Sequence, residues 1–272
     1  MALTPEKAAQ IDGFTDRYRN ARADVIRQME TPVFGCDYGA TSWTTREEAD
    51  RIIDMLTLGP NKRLLEIGSG SGWPGLYLAK ASGCEVVQID LPFDGLKVAA
   101  ERAREDDMAD RWDGAVADGA AVPFKNDAFE SVFHSDVLCC LELKLEALSE
   151  CRRVLRDDGT LVFSVLLISP NLSSDAHQHA ITCGPPYIDA PADYPTLLAQ
   201  AGWRQTDHAD LTEKFYNSVC DLFKQEENNA DELIDLFGEK SYAERLTSRR
   251  KRIEGLEAGL IKRELFRAVA SS

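Results

Sequence analysis

The feature that most constrains this chain is a short apolar strand running straight into a glycine-rich turn, Glu66-Ile67-Gly68-Ser69-Gly70-Ser71-Gly72. Glycine tolerates positive φ and lets a ligand reach the backbone without a Cβ in the way, and a helix that follows offers unpaired N–H groups. The turn opens a run of alternating units. Strands are predicted at Arg63–Ile67, Glu85–Ile89, near Gly114–Ala117, at Phe129–Phe133 and at Thr160–Leu166. Helices are predicted between them at Trp73–Ala81, Leu96–Asp107 and Leu143–Leu155. Apolar strands of this length alternating with helices predict a mostly parallel sheet covered on both faces, a doubly wound, Rossmann-like α/β fold.

The flanks are less regular. Apolar residues at helical spacing from Ala9 through Phe14 and Tyr18 to Met29 predict an N-terminal helix over residues 6–30. Thr31 to Thr45, which holds Tyr38 and Trp43, reads as a covering loop. A helix from Arg46 to Leu58 starts with Thr45 and Glu48 in capping-box spacing. After Leu166 comes a proline-bearing irregular stretch, then a helix at Tyr194–Ala201, a strand from Trp203, helices over 211–257 and a last strand at Leu260–Ala268. The expected organisation is an N-terminal helix and lid over residues 1–45 and a main domain over 46–272. Within that domain, 167–193 forms a substrate loop and 211–257 a helical insertion.

Charge narrows the partners. With 46 acidic and 31 basic residues and a formal net charge of −15, the chain should repel phosphate backbones and acidic membranes, which argues against nucleic acid and membrane partners. The dense basic run Arg249-Arg250-Lys251-Arg252 sits in a helical segment interrupted by glutamates and reads as a solvated face. Seven cysteines without a leader sequence or CxxC pairs read as reduced thiols of a cytoplasmic protein, a monomer or a homodimer.

In an open parallel sheet the ligand lies beyond the carboxyl ends of the strands. Gly70-Ser71-Gly72-Trp73-Pro74-Gly75 also spells the GxGxxG of dinucleotide enzymes, so an NAD-dependent oxidoreductase is the competing reading. Pro74 offers no N–H to a pyrophosphate, Trp73 crowds its approach, and the Glu66 carboxylate would repel it. Asp90, followed by Leu91, ends the second strand, where a carboxylate can accept from a ribose diol. Asp118, followed by Gly119, ends the third and could accept from an adenine amine.

These blocks, with Phe129-Glu130-Ser131-Val132-Phe133-His134-Ser135-Asp136-Val137-Leu138 and Cys151 to Leu161, resemble the class I S-adenosylmethionine-dependent methyltransferase family of small-molecule type. The resemblance implies S-adenosylmethionine as cofactor. The glycine loop (Gly68, Ser69, Gly70, Gly72) with Glu66 would hold its methionine part, Asp90 and Leu91 the ribose, and Asp118 and Gly119 the adenine. It also implies a seven-stranded sheet whose last strand is antiparallel. Where the family usually has Pro-Gly-Gly before the fifth strand, this chain has the turn Asp157-Asp158-Gly159.

Residues just past the fourth strand normally face the methyl group in that family, which makes His134 both a cofactor contact and the candidate general base. Tyr38, Trp43, His179 and Tyr187 are expected to close over a small-molecule substrate. No metal is expected, since His177-Gln178-His179 lacks a third ligand. The expected reaction is in-line transfer of a methyl group to an oxygen, nitrogen, carbon or sulfur acceptor, for which positioning alone can suffice.

Overall fold

The computed structural model describes residues 5–38 and 42–271. Seven strands form one sheet in the order β3-β2-β1-β4-β5-β7-β6, with β1 Arg63–Ile67, β2 Glu85–Asp90, β3 Trp112–Val116, β4 Phe129–Ser135, β5 Leu155–Ile168, β6 Trp203–Asp210 and β7 Ile261–Ala270. The first five pair in parallel, whereas β7 runs antiparallel to both β5 and β6. Both the doubly wound class and the antiparallel last strand are therefore observed. Leu65, Val132 and Phe163 fill one face of the central strands and Leu64, Phe133 and Val162 the other, all fully buried. Each such side chain contributes about 1.5–3 kcal/mol of transfer free energy.

Eleven α-helices are described: α1 Pro5–Arg19, α2 Asp24–Phe34, α3 Arg46–Leu56, α4 Gly75–Ser82, α5 Phe93–Glu105, α6 Lys144–Val154, α7 Ser174–Cys183, α8 Tyr194–Gln200, α9 Thr212–Asn228, α10 Ala230–Phe237 and α11 Glu239–Glu257. Thr45 and Glu48 form the reciprocal capping box that their spacing predicts.

Four expectations need correction. The N-terminal stripe is two helices, broken between Arg19 and Asp24, and α2 continues through Pro32 to a left-handed cap at Gly35. The covering loop is accordingly shorter, and its residues 39–41 lie outside the described residues. The stretch after Leu166 is not all irregular, because Ser173 caps α7 through the Ala176 N–H. In place of a turn before the fifth strand, β5 begins at Leu155. Its pairing with β4 jumps from Phe129↔Leu155 to Ser131↔Thr160, so the residues Arg156 to Gly159 bulge out of the ladder.

Candidate active site

The glycine turn leaves β1 with Gly68, Gly70 and Gly72 all at positive φ. At Gly68 (φ 69°) a Cβ would come within 2.5 Å of Val137, so the turn is built for glycine by packing as well as by dihedral. Asp90 ties this turn to the end of β2. Its Oδ2 accepts from the Gly70 N–H at 2.7 Å and from the Tyr18 hydroxyl at 3.3 Å, and its Oδ1 accepts from the Leu91 N–H at 2.8 Å. Burial pushes the Asp90 carboxyl up to about 6 against these hydrogen bonds.

Asp118 accepts from Lys7 Nζ at 2.5 Å and from the Ala120 N–H at 3.0 Å. Burial opposes its ionisation, but Lys7 and the Ala120 N–H outweigh burial and hold its carboxyl below the usual range. Gly119 packs tightly, since a Cβ there would come within 2.8 Å of Ile67. Helix α1 thus lies across the carboxyl ends of three strands: Lys7 meets Asp118, Tyr18 meets Asp90, and Gln10 Nε2 donates to the Cys140 carbonyl at 3.1 Å. In the middle of this arrangement the Ser69 hydroxyl is buried with no hydrogen-bond partner. A buried orphan of that kind in a ligand loop is what a polar cofactor would satisfy.

Glu66 is placed differently from a pocket acid. Its two oxygens accept from the Gly75 N–H at 3.1 Å and from Gln88 Nε2 at 2.5 Å, and burial pushes its carboxyl up to about 8. It braces the loop from beneath, and a Cβ on Gly75 would collide with it at 2.0 Å. Trp73 does not crowd the loop either, because its indole is buried and donates to the Thr44 carbonyl at 2.7 Å. The start of α4 is nevertheless closed to a pyrophosphate: Pro74 has no N–H, the Gly75 N–H is taken by Glu66, and the Leu76 N–H by the Gly72 carbonyl at 2.9 Å.

At the carboxyl end of β4 is a cavity of about 360 Å³, walled by Phe14 of α1, Trp43, the segment Ser135–Asp136, Cys140, and Arg249 of α11. Two wider hollows, of about 460 and 670 Å³, lie away from the carboxyl ends of the parallel strands, against α7 with α11 and against α9. The cavity at the end of β4 is the one that the topology of the sheet favours.

Of the expected substrate residues, Trp43 lines this cavity, packed edge-on against Phe34 and Phe215. The other three do not line it. Tyr38 donates to Asp106 at 2.5 Å and packs on Trp73, pinning its loop to the end of α5. His179 is exposed on α7, and Tyr187 uses its N–H on the Cys139 carbonyl at 3.2 Å while its neighbours Pro185 and Pro186 face the cavity.

His134 also departs from expectation. Its ring is 1% exposed, stacks on Phe163 at 4.9 Å and has neither nitrogen hydrogen-bonded. Burial pushes its pKa down to about 3. Because side chains alternate along a strand, Ser135 reaches the cavity and His134 turns into the opposite layer. The general-base assignment is set aside on both geometry and pKa.

An acid that reaches the cavity next to His134 is Asp136, held by a residue that sequence reasoning missed. Arg263 of β7, 1% exposed, donates from Nε to both Asp136 oxygens at 3.1 Å and from Nη1 to both Glu48 oxygens at 3.0 Å. Burial disfavours the guanidinium charge, but Asp136 and Glu48 more than offset it and raise its pKa. Ser135 Oγ extends the network, with hydroxyl contacts to Ser42, Thr44 and Ser164 at 2.9, 2.8 and 3.2 Å. The sequence held a signal for Arg263, which alternates in phase with buried Ile261 and Leu265 where an apolar residue would be ordinary.

Residues 65–163, from β1 into β5, match the family model described as Methyltransferase domain. A phosphoethanolamine N-methyltransferase of Triticum aestivum is 25% identical over 229 residues, covering 84% of this chain and 44% of the relative. The chain thus spans less than half the length of that relative. A 27-O-demethylrifamycin SV methyltransferase of Amycolatopsis mediterranei (strain S699) is 27% identical over 203 residues, covering 71% of this chain and 75% of the relative. The fold is similar to that of Haemonchus contortus phosphoethanolamine N-methyltransferase 2 in complex with S-adenosyl-L-methionine, with a TM-score of 0.76, 18% identity, and coverage of 96% of this chain and 60% of that one. The matched segment spans the glycine turn, Asp90, Asp118 and the residues after β4, so residues 65–163 carry a methyltransferase domain and the chain is similar to S-adenosylmethionine-dependent methyltransferases.

Proposed function

We propose that this protein transfers the methyl group of S-adenosylmethionine to a small molecule held in the cavity between α1, α11 and the end of β4. The observation that carries the reading is the packing of the glycine turn, with its orphaned Ser69 hydroxyl and its tie to Asp90, through Gly68 against Val137, next in the chain to the Ser135 and Asp136 that wall the cavity. The turn with Ser69 would hold the methionine part, Asp90 and Leu91 the ribose, and Asp118 and Gly119 the adenine. The cofactor supplies an electrophilic methyl group on a sulfonium.

The remaining chemistry belongs to the chain. Trp43 and Phe14 shape an apolar wall that excludes water, and Asp136, fixed from behind by Arg263, accepts a hydrogen bond from the acceptor and aligns its lone pair. Transfer then proceeds by displacement under positional control, with no histidine base. Residues 1–45 act as a lid, since α1 closes on the same two carboxylates that serve the cofactor, and residues 46–272 form the transferase domain. Residues 167–193 and 211–257 complete the substrate side. Among the described residues no helix is long and apolar enough to cross a membrane. The reading places the protein in the cytoplasm as a monomer or homodimer, without a nucleic-acid partner. Incubation with methyl-labelled S-adenosylmethionine, below saturation, and a metabolite extract should transfer label to a small molecule, and Asp90→Ala should reduce the transfer. Label appearing only in protein or nucleic acid would refute the reading.

A further inference from the structure

The cavity is lined by four guanidinium groups, in a chain whose net charge is −15. Arg17 comes from α1, and Arg245, Arg249 and Arg252 come from α11, where spacings of four and three put all three on one helical face. The basic run is therefore divided: Arg249 and Arg252 face the cavity, while Arg250 and Lys251 are exposed. Its reading as a solvated face holds only for the second pair. Glu226 of α9, fully buried, accepts from Arg245 and, at 3.2 Å, from Arg249. Burial would push its carboxyl up, yet Arg249 and Arg245 pull it below the ordinary range.

One carboxylate behind the wall does not balance this cluster. Of the two acids that line the cavity, Asp136 is already committed to Arg263, and Glu30 approaches from α2 on the Arg17 side. Arg252 Nε is buried without any hydrogen-bond partner. A buried guanidinium donor without an acceptor is costly, and its planar fork matches a carboxylate or a phosphate in bidentate geometry. Phe14, Phe34, Trp43, Leu166 and Leu222 supply an apolar part of the lining, with Arg249 stacked over Trp43 at 4.8 Å, while Gln10, Ser42, Ser135 and Ser248 supply neutral polar groups.

We propose that the methyl acceptor carries an anionic group, a carboxylate or a phosphate, which seats on Arg252, Arg249 and Arg17 while an apolar body fills the space against Trp43 and Phe14. The arginine cluster is then the specificity determinant of the site, selecting an amphiphilic acid over a neutral or cationic molecule. This inference rests on the methyltransferase reading only for the word acceptor; the anion site itself can be tested apart from turnover.

The test is calorimetry on the full chain saturated with S-adenosylhomocysteine, titrating inorganic phosphate and, separately, propionate at constant ionic strength set with sodium chloride. Binding of either anion at millimolar concentration is expected, and the stronger of the two identifies the headgroup. Arg252→Gln should weaken that binding about tenfold, the loss of one charge-assisted contact, and leave S-adenosylhomocysteine affinity unchanged. Arg250→Gln, on the exposed face, should change neither. No heat from either anion, or equal binding by wild type and Arg252→Gln, would overturn the proposal. Failure of wild type to bind S-adenosylhomocysteine would instead count against the cofactor reading.

Discussion

Replacing Arg263 by Met tests the buried network that fixes Asp136. The substitution removes a guanidinium that meets Glu48 through Nη1 and Asp136 through Nε, each nitrogen shared between both carboxylate oxygens at 3.0 and 3.1 Å, and it leaves two buried carboxylates facing an apolar side chain. Removing one partner of a buried ion pair costs about 3–5 kcal/mol. A chain of 272 residues has an unfolding entropy of about 0.6 kcal/mol/K, so a loss near 4 kcal/mol should lower Tm by about 7 °C. Differential scanning calorimetry at pH 7 reads this directly. A double variant, Glu48→Leu with Arg263→Met, removes one of the stranded charges and should recover part of the loss, giving a coupling energy of about 1–3 kcal/mol. Methyl transfer by Arg263→Met at a temperature where it remains folded should fall, because Asp136 loses the contact that aims it. A variant with wild-type Tm and no coupling to Glu48 would refute the assignment of Arg263 as the anchor of the site.

The pKa of Asp90 gives a second prediction. Because burial raises the folded value from 3.8 to about 6, the carboxylate proposed to accept from a ribose is lost as pH falls through that value. S-adenosylhomocysteine affinity should therefore weaken below pH 6 in wild type and be flat with pH in Asp90→Asn; a pH-independent wild type would contradict the ribose role. His134→Phe should keep turnover and, by removing two orphaned buried nitrogens, hold or raise stability by about 1 kcal/mol. A loss of kcat with unchanged cofactor affinity would restore His134 to the mechanism.

The elements of the proposed cofactor side were legible in the sequence because they are written locally. A strand, a glycine turn that packing confirms at Gly68, and carboxylates at the ends of β2 and β3 are all marked by residues within a few positions of one another. The cavity proposed for the substrate is lined from α1, α2, α9 and α11, which are remote in sequence and join only through tertiary packing. A helix that turns a basic face toward a polar cavity has the same periodicity as one that turns it toward water, so Arg249 and Arg252 were read as solvated. Aromatic residues in a loop suggest a lid, but whether each faces ligand or core depends on a partner far along the chain, as with Tyr38 on Asp106. His134 stands at the right sequence position and on the wrong face, a distinction of one residue in a strand of period two. Arg263 carried the clearest unused signal, a charge in an apolar phase of a strand, and its two acidic partners could be found only in three dimensions.

The central claim is that the glycine turn with Asp90 and Asp118 serves an adenosyl sulfonium cofactor. Parallel calorimetric titrations of the wild-type chain with S-adenosylhomocysteine and with NAD test it most directly. Saturable one-site binding of S-adenosylhomocysteine, weakened by about 2 kcal/mol in Asp90→Ala, and no heat with NAD are expected. Binding of NAD, or S-adenosylhomocysteine binding that survives Asp90→Ala at full strength, would contradict it.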